Sequence, residues 1–117
     1  MKRFNIGIAI PCHNNLDVLQ QSLPSVYSDD YFITIFDDGS TDGTEDWIKN
    51  NYTQVNYLKG DGNNWWAGSL ARAIDHCIEG GCDYIISLNA DVIISSELIF
   101  KLIDSSLTNY FFLGIAL

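Results

Sequence analysis

Four clusters of polar residues interrupt an otherwise apolar chain. They are Pro11-Cys12-His13-Asn14, Asp37-Asp38-Gly39-Ser40-Thr41-Asp42-Gly43, the Gly60-to-Trp66 segment, and Asn89-Ala90-Asp91. Asp91, with Asn89, offers hard oxygen donors of the kind that hold Mg²⁺ or Mn²⁺, and such a cation can bridge to a diphosphate. Asp37 and Asp38 are adjacent, so from an extended strand they cannot both point at one ligand. Asp-Asp-Gly is also a turn signal, and one of the two can cap the Gly39-Ser40-Thr41 turn. His13 is either an exposed loop histidine or an imidazole that stacks on a ring. Cys12 has no neighbour that would lower its pKa and reads as a small buried residue, not a nucleophile. A dinucleotide fold places G-x-G-x-x-G after its first strand, and Pro11-Cys12-His13-Asn14 is not that; G-x-x-x-x-G-K-[ST] is also missing from the sequence. Phosphate would have to be held by something other than a glycine-rich nest.

The segments between these clusters alternate in period. Asn5 to Ile10 is a short β-rich run, and Leu16, Leu19, Leu23, Val26 and Tyr27 then recur at helical spacing. Pro24 lies inside that pattern and should end or kink the helix. Tyr31 to Phe36 is the second strand, and Asp42 with Glu45 resembles a capping box for a helix through Trp47 and Ile48. Val55 to Leu58 is the third strand. Trp66, Leu70, Ala73, Ile74, Cys77 and Ile78 share one helical face, stopped by Gly80-Gly81. Of the adjacent Trp65 and Trp66, one should be buried and the other available to a pocket, because neighbouring helical positions face different ways. Tyr84 to Leu88 is the fourth strand. Ser95 or Ser96 can cap a helix carrying Leu98, Ile99, Leu102 and Ile103, and Tyr110 to Leu117 is a further apolar strand.

Strands alternating with amphipathic helices predict a single α/β domain over residues 1–117. The expected architecture is a doubly wound, mostly parallel sheet of about five strands, with helices on both faces. In such a sheet ligands bind beyond the carboxyl ends of the strands, and all four polar clusters follow strands.

Composition bounds the partners. Fifteen Asp+Glu face six Lys+Arg, a formal net charge of −9 over 117 residues. That balance argues against nucleic acid as a partner. No apolar run reaches the roughly 18 to 20 residues that cross a bilayer, so no transmembrane segment is expected. The basic start is brief and no small-residue cleavage site follows it, which argues against a signal peptide. Three cysteines in no metal-ligand spacing read as reduced thiols of a cytoplasmic protein.

Ile8-Ala9-Ile10-Pro11-Cys12-His13-Asn14, Phe36 through Thr44 and Leu88-Asn89-Ala90-Asp91-Val92 together resemble the N-terminal half of inverting family-2 glycosyltransferases of the GT-A fold. The family usually has Tyr-Asn where His13-Asn14 stand, and Asn89-Ala90-Asp91 looks like a variant of its D-x-D motif. Asn64-Trp65-Trp66-Ala67-Gly68 looks like a rhamnosyltransferase-like subgroup of surface-polysaccharide assembly. The resemblance implies a Rossmann-like GT-A nucleotide-binding half that takes a nucleotide-sugar donor. It implies that Pro11, His13 and Asn14 lie at the nucleobase, that Asp38 bonds the base edge, and that Asp37 supports the ribose or the loop. It places Trp66, Gly68 and Arg72 near the phosphates or donor sugar, Asn89 beside them, and Asp91 on a divalent cation, Mn²⁺ or Mg²⁺. The acceptor would be a saccharide or lipid-linked. Localisation would be cytoplasmic, peripheral at the inner membrane face for a full-length enzyme.

An inverting transfer also needs a carboxylate base near the acceptor hydroxyl. After Asp91 the sequence holds only Glu97 and Asp104, both in a helical pattern. In the resembled family the base and the acceptor surface follow the metal motif at a greater distance. Nucleotide binding without turnover is therefore expected of these residues, with the acceptor-binding half absent; the apolar 110–117 strand is expected either to self-associate or to be covered by that missing half. A non-catalytic nucleotide-binding or regulatory module of the same ancestry is the alternative. A response-regulator-like domain would carry its acidic pair after the first strand, where Pro11-Cys12-His13-Asn14 stands.

Overall fold

A computed structural model describes residues 4–95 and 97–101. Its elements run β1 (Ile6–Cys12), α1 (Leu16–Val26), β2 (Tyr31–Asp37), α2 (Thr44–Asn51), β3 (Asn56–Lys59), α3 (Trp65–Glu79) and β4 (Tyr84–Ser87). A short helical turn occupies 97–101. The four strands form one parallel sheet in the order β3-β2-β1-β4. This is the α/β Rossmann-like arrangement that the alternating pattern predicts. The expected fifth strand, 110–117, lies outside the described residues.

Alternation along β1 sorts the chain into two layers. Ile6, Ile8, Ile10 and Cys12 face one side, where they pack with Leu19, Leu23 and Val26 of α1, Ile33 and Ile35 of β2, Ile48 of α2, and Ile99. Ala9 faces the other side and packs with Phe36 and with Ala73 and Cys77 of α3. Helices therefore cover both faces.

The second layer is thin because its contacts are small. A Cβ on Gly7 would stand 2.8 Å from Cys82 Sγ and 3.0 Å from Cys77 Sγ, so a side chain there would push α3 off the sheet. The stripe α3 buries fully is Ser69, Ala73 and Cys77. This corrects the sequence expectation, in which Trp66 and Ile78 belonged to the apolar face; both are exposed. Close approach to Gly7 and Ala9 selects small residues at i, i+4 spacing over large apolar ones.

Helix ends follow local chemistry. α1 contains Pro24 and stops two residues later, where Tyr27 is extended and its N–H bonds Leu23 O. α3 ends in a Schellman motif: Gly81 has φ +84°, Cys82 N–H bonds Cys77 O at 3.1 Å, and Gly81 N–H bonds Ile78 O at 3.0 Å. The capping-box expectation for α2 is only half met. The Asp42 carboxylate accepts from Thr44 N–H at 3.2 Å and also from Leu16 N–H at 3.0 Å, so it serves the starts of two helices. Glu45 turns away from the helix start and pairs with Lys49 and with Lys59 at 3.0 Å. Ser95 Oγ accepts from Leu98 N–H at 3.1 Å and opens the 97–101 turn.

Candidate functional site

Parallel register brings the polar clusters to one rim. Cys12 lies level with Asp37, and Asp37 with Lys59, so the residues after β1, β2 and β3 leave the sheet side by side. Strand order reverses between β1 and β4, which is where an open sheet of this kind leaves a crevice. A pocket of about 310 Å³ opens beyond the ends of β1 and β2, against the start of α3, lined by Pro11, Cys12, His13, Asn15, Asp38, Gly62, Trp65, Trp66 and Ser69.

Asp38 is the hub of this rim. It is 4% exposed, and its two oxygens accept four hydrogen bonds from the segment after β3. Gly62 N–H and Asn64 Nδ2 reach Oδ1 at 2.9 Å each; Asn64 N–H and Trp65 N–H reach Oδ2 at 2.9 and 2.8 Å. Burial pushes the Asp38 carboxyl up, but the donors from Asn64, Trp65 and Gly62 outweigh it and hold the group below the usual carboxylate range. The segment closes tightly over it. Trp65 takes a left-handed φ of +58°, which aims its N–H at the carboxylate, and a Cβ on Gly60 would lie 2.6 Å from Asp38 Oδ1. These partners fill the acceptor positions through which the sequence reading has Asp38 meet a base edge.

Asp37 is buried beneath. Its carboxylate accepts from Ser40 N–H at 3.1 Å, from the Ser40 hydroxyl and from Tyr57 Oη–H. Burial and the neighbouring Asp37 push the Tyr57 phenol far above its ordinary range, so it stays a donor. Asp37 thus shapes the turn, and it does not line the pocket.

His13 is exposed at the mouth, with Nδ1 2.7 Å from the Asp38 carbonyl oxygen. A carbonyl only accepts, so the proton sits on Nδ1 and the ring is held in place. Asn14, in a left-handed conformation at φ +51°, ties two loops together: its N–H bonds Ser40 Oγ and its Oδ1 accepts from Thr41 N–H, both at 2.8 Å. Cys12 lines the pocket, but burial, then Asp37 and Asp42, push its thiol well above the ordinary value, so no thiolate forms there.

Both tryptophans are exposed, Trp65 by 77% and Trp66 by 60%, contrary to the expectation that one would be buried. The Trp66 indole N–H bonds Asn89 Oδ1 at 2.9 Å, which links the pocket wall to the residues after β4. Asn89 is half-buried and Asp91 exposed; neither lines the pocket. No hydrogen bond or ion pair engages the Asp91 side chain among the described residues. Gly68 and the exposed Arg72 lie along α3 outside the lining. Among the described residues no three His, Cys, Asp or Glu side chains form a metal-holding group. One hard carboxylate fits a cation whose remaining ligands are phosphates and waters.

Asn15 and Ser69 line the pocket without having been candidates in the sequence. The Ser69 hydroxyl is buried without a hydrogen-bond partner among the described residues. The available signal was the small-residue spacing Ser69, Ala73, Cys77.

A parallel sheet reversing at β1 and β4, with a pocket beyond its carboxyl ends, defines a Rossmann-like α/β protein. The sequence model for glycosyl transferase family 2 matches residues 7–113, and the chain belongs to that family. Members commonly use a divalent cation. No curated protein matches the chain in sequence. Among solved structures it is similar to S. aureus TarS 1–349 in complex with UDP, at 13% identity and a TM-score of 0.73, covering 89% of this chain and 32% of that one. The same protein in complex with UDP-GlcNAc aligns at 13% identity and a TM-score of 0.73, over 89% and 31%. The chain thus spans about a third of the length of those structures, and the likeness is one of fold. No described helix is long and apolar enough to cross a membrane.

Proposed function

We propose that this chain binds a nucleoside diphosphate sugar at the rim, as the donor-binding part of an inverting glycosyltransferase of polysaccharide or glycoconjugate synthesis. The observation that carries the reading is the pocket beyond the carboxyl ends of β1 and β2 in a family 2 chain. No Lys or Arg lines it, and the Asp38 carboxylate would repel a phosphate, so the neutral heterocycle enters and the diphosphate points out. Pro11, His13 and Trp66 supply flat or ring surfaces for that heterocycle. Asn14, Asp37 and Asp38 hold the loops that shape the pocket. Asn89 and Asp91 meet the diphosphate end, Asp91 by holding Mn²⁺ or Mg²⁺, with Gly68 and Arg72 on the α3 side. The cation, when bound, neutralises charge on the departing diphosphate. In the transfer an acceptor hydroxyl attacks the anomeric carbon opposite the diphosphate. The new C–O bond forms as the bond to the diphosphate breaks, and a carboxylate base outside the residues assigned here takes the hydroxyl proton.

The acceptor is a saccharide or lipid-linked saccharide, and the setting is cytoplasmic. Self-association through 110–117 concerns residues outside those described. A thermal-shift panel of UDP, dTDP and UDP-GlcNAc with Mn²⁺ or EDTA tests the reading: a native-state ligand raises the Tm. A flat panel refutes it. A second reading, a nucleotide-binding module without transfer, is favoured by the Asn89 amide oxygen being engaged by Trp66, which leaves Asp91 as the one side chain of the Asn89-Ala90-Asp91 motif free to hold a cation. Nucleotide binding without sugar transfer or donor hydrolysis would support it.

A further inference from the structure

Ser69 is 2% exposed, lies on the second turn of α3 and lines the pocket, and its Oγ has no hydrogen-bond partner among the described residues. A serine within a helix ordinarily returns its hydroxyl to the carbonyl one turn earlier; this one does not. Buried polar groups in native proteins are paired in the great majority of cases, and an unpaired one is a standing penalty on the folded state. The hydroxyl offers one donor and two acceptor positions. Two other polar groups lining the pocket are already engaged: Asp38 by the 62–65 segment, and His13 Nδ1 by the Asp38 carbonyl.

We propose that Ser69 is a ligand-binding residue whose hydroxyl pairs with the edge of the heterocycle in the pocket, and so helps select which ring is accepted. This rests on the donor-binding reading above. The lining around Ser69 favours a ring edge over a phosphate, since it combines Pro11, Cys12 and the two tryptophans with an anionic Asp38 and no cation. The unpaired hydroxyl is then a group set aside for the ligand, and its penalty in the free protein is relieved on binding.

Calorimetry with Ser69→Ala tests this, using UDP and inorganic pyrophosphate as separate probes in Mn²⁺. UDP affinity should fall about tenfold, the loss of one buried hydrogen bond. Pyrophosphate affinity should stay unchanged, and the Tm of the free variant should be no lower than that of the wild type, since an unpaired polar group has been removed. UDP binding as tight as wild type would overturn the proposal while leaving the donor-site reading intact. A parallel fall for UDP and pyrophosphate would also overturn it, by showing general damage to the site. Failure of the wild type to bind UDP would remove both the donor-site reading and the role of Ser69.

Discussion

Asp38 and Asp91 both follow strands of one sheet, yet the fold treats them in opposite ways. Asp38 is buried under four donors and its charge is consumed in holding the 62–65 segment. Asp91 stands exposed after β4, engaged by no described side chain or backbone group. One carboxylate builds the rim and the other is available to it. A carboxylate at a strand end is therefore not one kind of signal: its role depends on whether a neighbouring loop brings enough N–H groups to satisfy it.

The sharpest way to break this contrast is Asp38→Ala. It leaves the N–H groups of Gly62, Asn64 and Trp65 without their acceptor, and a loss of about 2 to 4 kcal/mol is expected in urea unfolding. The depressed Asp38 carboxyl adds a pH dependence. A carboxyl whose pKa folding lowers contributes stability that is fully present above its unfolded value, near about 3.9, and is lost as pH falls through the folded value. The urea midpoint should therefore drop on acidification below about pH 4, and less steeply in Asp38→Asn than in wild type.

Gly60→Ala attacks the same region from outside. Its Cβ would meet Asp38 Oδ1 at 2.6 Å, the Phe36 ring at 2.7 Å and Asn64 Nδ2 at 2.8 Å. Asp38 is held by its donors and cannot step aside, so a loss of about 1 to 3 kcal/mol is expected from thermal or urea melts. Equal stability of Gly60→Ala and wild type would show the rim to be looser than its hydrogen bonds imply.

Asp91→Ala should do the reverse. Its unfolding free energy should stay within about 0.5 kcal/mol of wild type, while the Mn²⁺-dependent part of UDP affinity, about tenfold or more, disappears in calorimetry. Substantial destabilisation would end the contrast with Asp38. Equal binding in EDTA and Mn²⁺ by the wild type would move the phosphate contacts to Arg72 and backbone amides.

The smallest effect belongs to the link between the two regions. Trp66→Phe keeps an aromatic ring in the pocket wall and removes the indole N–H that holds Asn89. An exposed hydrogen bond of this kind contributes about 0.5 to 1 kcal/mol. Trp66→Phe and Asn89→Ala should each weaken UDP binding a few-fold, and together by less than the product, since both break one contact.

Much of this was legible in the residues. The order of strands and helices, the polar clusters at strand ends and the family motifs are local patterns, and all four described strands fall within two residues of where periodicity puts them. The inner face of α3 was legible only in part: Leu70, Ala73, Ile74 and Cys77 pack inward as their spacing puts them, while Ser69 was passed over. Hydrophobic periodicity also put Trp66 and Ile78 on that face, whereas both are exposed and Ser69 is buried with Ala73 and Cys77 against a sheet that carries Gly7 and Ala9 there. Apolar character measures transfer from water; it does not measure how near two backbones must come.

The sequence by itself determined a parallel α/β chain of glycosyl transferase family 2, because β-rich runs, helical spacing and an Asp-Asp-Gly-Ser turn are written in residue types. Only the tertiary structure decided that Asp38 is closed, that Asp91 is open and that Ser69 is left unpaired in the pocket. The donors that close Asp38 are mostly backbone N–H groups brought from 24 to 27 residues away. Every residue but proline carries such a group, so no residue type marks where it will point; the path of the chain alone aims it.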